Sequence, residues 1–168
     1  MMDVGRHPRI KLMTLSEVTS VSGYVGNFHV TIRKNPRYVM EDQCTACGDC
    51  AEVCPVTRPK EFDLGLATRK AIYQPFPQAV PAAFVVNPED CLGNNPIACG
   101  KCIEKCEKKC IDFDMQPEEI ELEVGAIIVA TGLDVYDPTE LDEFGYTRFE
   151  DVITSLEFER LINASGPS

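Results

Sequence analysis

Residues 28–33 read Phe-His-Val-Thr-Ile-Arg, so Phe28, Val30 and Ile32 alternate with His29, Thr31 and Arg33. Successive side chains on a strand point to opposite faces, so this run predicts a strand with one buried and one wet face. His29 falls on the wet face, which makes it a solvent-facing histidine rather than a metal ligand. Gly26-Asn27, between two β-prone runs, predicts a two-residue hairpin turn. Upstream, Ile10 to Thr14 is a short strand candidate, and Ser16-Glu17-Val18 a brief helical turn capped by Ser16. Asn35-Pro36-Arg37 reads as a linker. Tyr38-Val39-Met40 and Phe84-Val85-Val86 predict two short apolar strands, and Ile111-Asp112-Phe113 a closing one. The Pro-rich stretch from Val56 to Ala83 is longer than a minimal loop between such strands. Further on, Ile120 to Val124 alternates like an exposed-edge strand. Gly125 to Gly132 is apolar and β-branched without a break, which predicts a strand covered on both faces and ended by a glycine turn. Asp151-Val152-Ile153 starts as a strand, and Thr154/Ser155 opens a helix with Leu156, Arg160 and Leu161 at helical spacing.

The chain has 168 residues and an ordinary apolar content, enough for one good core or two small ones. Its longest apolar run, Ala126 to Ala130, is too short to cross a bilayer, and Met1 to Leu12 has no apolar stretch of signal-peptide length. The net charge of −11 is unevenly placed. Residues 1–37 hold six Lys or Arg against two acids, and residues 117–151 hold eleven acids against one Arg. That balance disfavours a nucleic-acid partner and reads as two solvated faces. Nine cysteines are many for this length. In an unsecreted chain they point to metal or redox use rather than disulfides, and hence to the cytoplasm.

The cysteines carry the chemistry. Cys44, Cys47, Cys50 and Cys54-Pro55 form C-x2-C-x2-C-x3-C-P, the spacing of a bacterial-type [4Fe–4S] ligand run. Two-residue gaps turn three thiolates toward one centre, Gly48 lets the backbone approach, and Pro55 stops the short helix carrying Cys54. Cys91, Cys99, Cys102 and Cys106 repeat the order, with only the first gap widened by a turn-rich Leu92-Gly-Asn-Asn-Pro96 insertion. The two runs, each led by a strand, make an internal duplication. In two-cluster ferredoxins the fourth cysteine of each run serves the other cluster. That arrangement assigns Cys44, Cys47, Cys50 and Cys106 to cluster 1, and Cys91, Cys99, Cys102 and Cys54 to cluster 2. Cys110 is left over, as a spare buried thiol, an alternative ligand to Cys106 or a reactive group. Lys101 and Lys105 beside the second run read as a solvated pair. A zinc-binding structural module is the alternative from another class, although zinc favours paired C-x2-C hooks. A general ferredoxin-type electron carrier is a further one.

The flanks are more specific. Asp3 to Pro8, Val21 to Phe28, Arg69 to Tyr73, Pro75 to Pro81 and Val124 to Gly132 together resemble the A subunit of heterodisulfide reductase, along nearly the whole chain. The resemblance implies an α+β fold. In it a two-cluster [4Fe–4S] ferredoxin-like domain, residues 37–116, is inserted into a thioredoxin-reductase-like FAD-binding module contributed by residues 1–36 and 117–168. It implies FAD in the intact protein, with Ala130, Thr131 and Gly132 facing the flavin. It further implies the B and C subunits of heterodisulfide reductase, with hydrogenase or other electron donors, as partners, and CoM–S–S–CoB or a related disulfide as the compound reduced. No G-x-G-x-x-G follows a strand here, so the dinucleotide phosphate site is missing. The expectation is a segment of a longer oxidoreductase that relays electrons, binds no FAD stably alone and has no catalytic residue of its own.

Overall fold

The computed structural model describes residues 2–93, 98–132 and 134–167. It is a small α+β structure in two compact units, Met1–Arg58 with Arg69–Ile127, and Pro59–Thr68 with Ile128–Ser168.

The first unit begins with a single-turn helix, α1 (Met2–Arg6), and then builds a sheet from β1 (Ser16–Tyr24), β2 (Asn27–Lys34) and β7 (Glu118–Val124). The order is β1-β2-β7 and both pairings are antiparallel. Register follows the apolar alternation. Phe28 faces Val124, Val30 faces Leu122 and Ile32 faces Ile120, so three apolar pairs line up on one face. On the opposite face His29 sits across from Glu123, 3.7 Å between Nδ1 and Oε1, with both side chains largely in water. The turn that joins β1 to β2 is Val25-Gly26, with Gly26 at φ +92°. A bulge at Thr19 shifts the β1 register between Val18 and Ser20.

Between β2 and β7 in the chain lie α2 (Asp49–Glu52), β3 (Arg58–Pro59), β4 (Thr68–Arg69), β5 (Ile72–Tyr73), β6 (Val85–Val86) and α3 (Lys101–Lys105). Strands β5 and β6 pair antiparallel. A single antiparallel bridge joins Val39 to Ile111. Val39, Ile72, Phe84, Val86 and Ile111 form the buried core here, together with Cys50 and Cys110. Arg37 is buried beside it, held by Glu41 at 2.9 Å and by the Thr14 hydroxyl at 2.7 Å.

The second unit contains short 3-10 turns at Glu61–Asp63, Pro138–Glu140 and Asp142–Phe144, and one helix, α4 (Ser155–Ile162). Thr154 caps α4 reciprocally with Glu157, the side chain of each receiving the other's backbone N–H. Asp63 is buried, accepts two hydrogen bonds from Arg160 at 2.8 and 3.0 Å and pairs with Lys60 at 2.7 Å. The Arg160 guanidinium also lies 4.5 Å from the centre of the Phe62 ring.

Several sequence expectations need correction. Ile10 to Thr14 is not a strand, and Ser16 opens β1 instead of capping a helical turn, because Val18 and Val21 find partners in Ile32 and Val30. The hairpin turn sits one residue earlier than expected, since Asn27 pairs with Tyr24 inside the ladder. The strand expected at 38–40 is reduced to the Val39 bridge. Gly125 to Gly132 is not a buried strand. It is irregular and exposed: the Gly26 amide donates to the Gly125 carbonyl at 2.8 Å, and beyond that residue the segment joins no described sheet. Asp151 to Ile153 is likewise irregular. Helix α2 ends at Glu52, two residues before Cys54. Asn94, Asn95 and Pro96 of the widened gap lie outside the described residues. No described helix is long and apolar enough to cross a membrane.

Candidate metal centre

The two cysteine runs fold in the same way, and the reason is local. In each, a glycine follows the second cysteine and sits in the left-handed region, Gly48 at φ +96° and Gly100 at φ +67°. Side-chain-bearing residues adopt that conformation at a cost, whereas glycine does so freely. The reversal starts a single helical turn whose first amides bond back to the glycine carbonyl: Ala51 and Glu52 to Gly48, Ile103 and Glu104 to Gly100. Each turn carries the third cysteine, Cys50 on α2 and Cys102 on α3. The first cysteines are placed alike too. The Cys44 amide donates to the Met40 carbonyl at 3.0 Å and the Cys91 amide to the Asn87 carbonyl at 3.1 Å.

The cysteines line two cavities within the first unit. Cys44, Cys47 and Cys50 share one with Cys106 and Cys110. Cys91, Cys99 and Cys102 share the other with Cys54. The fourth cysteine of each run therefore lies with the first three of the opposite run. Ile72, only 2% exposed, contributes to the wall of both cavities. Among the described residues no three His, Cys, Asp or Glu side chains converge closely enough to hold one metal ion. The sulfurs stand around a space, not a point.

Burial, and then the neighbouring thiols Cys44, Cys102, Cys47 and Cys106, push the Cys50 thiol up to about 12. Burial, then Cys91, pushes Cys102 up to about 11. Cys106 and Cys110 lie 3.5 Å apart, sulfur to sulfur. Burial, then hydrogen bonding with Cys106, pushes Cys110 up to about 12. Burial would also raise Cys106, but hydrogen bonds from Cys110 hold it below its ordinary value. Crowded, buried thiols of this kind keep their protons unless a cation compensates the thiolates. An iron–sulfur core held by these cysteines would supply that compensation. The soft sulfur donor sets of both cavities fit such a core.

Of the remaining sequence-predicted residues, Lys101 also contributes to the lining of the second cavity. Ala130, Thr131 and Gly132 belong to the second unit and are exposed, with Gly132 at φ +76°. Lys101 and Lys105 are exposed on α3. Sequence reading did not single out Ile72 as a wall common to both cavities. Its position in the Arg69 to Tyr73 motif, midway between the two runs, was the available signal.

The 4Fe-4S binding domain family matches residues 37–56, the segment that holds the first run. Relatives match the chain from end to end. The A subunit of the H(2):CoB-CoM heterodisulfide,ferredoxin reductase of Methanothermobacter thermautotrophicus is 55% identical over 168 residues. An iron-sulfur A subunit of the CoB--CoM heterodisulfide reductase of Methanopyrus kandleri is 60% identical over the same span. The A subunit of the Ferredoxin:CoB-CoM heterodisulfide reductase of Methanosarcina mazei is 43% identical over 169 residues. The chain covers 25% of the first two proteins and 21% of the third. On this end-to-end identity the chain belongs to the heterodisulfide reductase A-subunit family, as a segment spanning about a quarter of the relatives it matches.

Proposed function

We propose that the segment is an electron relay holding two [4Fe–4S] clusters, one on Cys44, Cys47, Cys50 and Cys106 and one on Cys91, Cys99, Cys102 and Cys54. The observation that carries this reading is the crossed lining of the two cavities. When bound, each cluster takes up and returns one electron. The chain's own residues do the rest. Thiolates hold the iron, the apolar wall of Val39, Phe84, Val86 and Ile111 keeps water out, and Ile72 sets the two sites side by side. Solvent exclusion and backbone donors near sulfur are what tune the potential of such sites. No residue of the segment acts as acid, base or nucleophile.

In the longer protein the relay connects a flavin to outside donors and to the partner B and C subunits, in the cytoplasm. The flavin-facing Ala130, Thr131 and Gly132 turn belongs to this part of the proposal. The relatives' names supply the substrate class, the CoB-CoM heterodisulfide, and the donor class, hydrogen or ferredoxin.

Alanine variants of the full-length protein, prepared anaerobically, test the crossed assignment. Cys44→Ala and Cys54→Ala each remove about four iron atoms and a different EPR signal. The pair C44A/C54A removes about eight, whereas C54A/C91A removes no more than C54A alone. If C44A/C54A costs only about four, the runs are not crossed and the assignment fails.

A further inference from the structure

The first cavity has one thiol more than a cluster needs. Cys106 and Cys110 both line it with Cys44, Cys47 and Cys50. Their sulfurs are 3.5 Å apart. The backbone produces this pairing. Cys106 ends α3 in extended conformation, with φ −72° and ψ 104°. Lys109 then takes φ +49°, with its amide bonded to the Cys106 carbonyl at 3.0 Å, and the chain turns back on itself. The Met40 amide donates to the Cys110 carbonyl at 2.8 Å, which fixes Cys110 beside the segment that leads to Cys44. Cys110 is 3% exposed and interacts electrostatically with both Cys44 and Cys106. It is anchored at its backbone, faces the same space as the first-run thiols and is better shielded from water than Cys106.

Resting on the two-cluster reading above, we propose that Cys110 is a built-in reserve ligand, able to replace Cys106 as the fourth sulfur of the first-run cluster. The exchange balances. The iron–sulfur bond to Cys106 breaks and one to Cys110 forms. The proton of the Cys110 thiol passes to the Cys106 sulfur it already touches, and no electron is gained or lost. Among the described residues the second cavity is lined by four cysteines only, with no spare thiol beside them, so the first-run cluster tolerates loss of its fourth ligand and the second-run cluster does not.

Alanine is the informative substitution, because a serine oxygen could itself bind iron. In the full-length protein, prepared anaerobically, C44A removes about four iron atoms and the first-run EPR signal, which establishes the site. C106A keeps wild-type iron content but shifts that signal, since a different sulfur now completes the set. C110A keeps wild-type iron content, because Cys106 is still there to complete the set. C106A/C110A loses about four iron atoms, as C44A does. Loss of the cluster in C106A alone, or its retention in C106A/C110A, overturns the proposal. So does loss in C110A alone, which would make Cys110 the resident ligand. If C44A loses no iron, the two-cluster reading itself has failed, and the two failures are told apart.

Discussion

At the scale of single residues, the second unit carries a buried ion triad. Asp63 is 1% exposed and Arg160 is 7% exposed, and Lys60 completes the set. Burial alone would raise the Asp63 carboxyl. Hydrogen bonds and charge from Lys60 and Arg160 outweigh it and hold the group below its ordinary value. Removing one partner of a buried pair leaves the other charge without compensation, at roughly 3–5 kcal/mol. Asp63→Asn is therefore expected to lower the denaturant midpoint of the protein by about that free energy at neutral pH. The pH dependence has a definite sign. Because the folded-state carboxyl is depressed, its stabilisation is fully present above its unfolded value of about 4 and is lost as pH falls through the folded one. The gap between wild type and D63N should narrow below about pH 4, and a gap that widens on acidification would contradict the triad. Sequence reading placed Arg160 at a helical position but gave no hint of Asp63. Ninety-seven residues separate the pair, and no local pattern marks an acid that will be buried.

Among the elements, legibility followed how much each owed to its own sequence. The run from Phe28 to Arg33 and the α4 start at Thr154 were readable because alternation and capping are local. Gly125 to Gly132 was misread because among the described residues no strand pairs with it, and apolar composition alone does not make a strand. Ser16 to Val18 was misread because its ladder partner, β2, decides its conformation. Eight residues make a helix too short to persist on propensity alone, so α4 depends on its cap and its packing. Thr154→Ala removes the acceptor for the Glu157 amide, while the Glu157 carboxylate keeps the residue-154 amide at 2.6 Å and the Tyr146 hydroxyl at 2.7 Å. We expect a loss of about 1 kcal/mol in chemical denaturation, with the ion triad intact. An unchanged midpoint would mean that packing alone sets the start of the helix. In the hairpin, Gly23 has φ +96°, and an added Cβ would collide with the Asn27 carbonyl. Gly23→Ala should therefore disrupt the β1–β2 end of the sheet, read as faster amide exchange at Tyr24 and Asn27. Gly26→Ala meets no such obstacle, though its φ of +92° still disfavours it.

For the molecule as a whole, the cluster region has an unusual core. The buried side chains Val39, Ile72, Phe84, Val86 and Ile111 are also the walls of the cysteine cavities, with half-buried Tyr38, Met40, Ile103 and Phe113 packed against them. A bound inorganic core would then be the interior against which these side chains pack, so binding energy and folding energy become one quantity. The spacing of the two cysteine runs made this region legible from sequence, whereas the common wall at Ile72 depended on contacts no spacing encodes. Anaerobic iron chelation should therefore loosen the first unit selectively. Amide exchange at Val86, Cys91, Cys106 and Asp112, whose N–H groups bond across or within this region, is expected to quicken by at least roughly tenfold. The amide of Phe158, bonded to the Thr154 carbonyl in α4 of the second unit, should hold its rate. Ile72→Ala should reproduce part of the effect without chelation, since deleting a buried isoleucine side chain costs about 2–5 kcal/mol. It also opens both cavities toward each other, so both EPR signals should change together. If chelation loosens α4 as much as the cysteine loops, or if I72A perturbs only one signal, the interior is not organised around the two cavities and Ile72 is not their common wall.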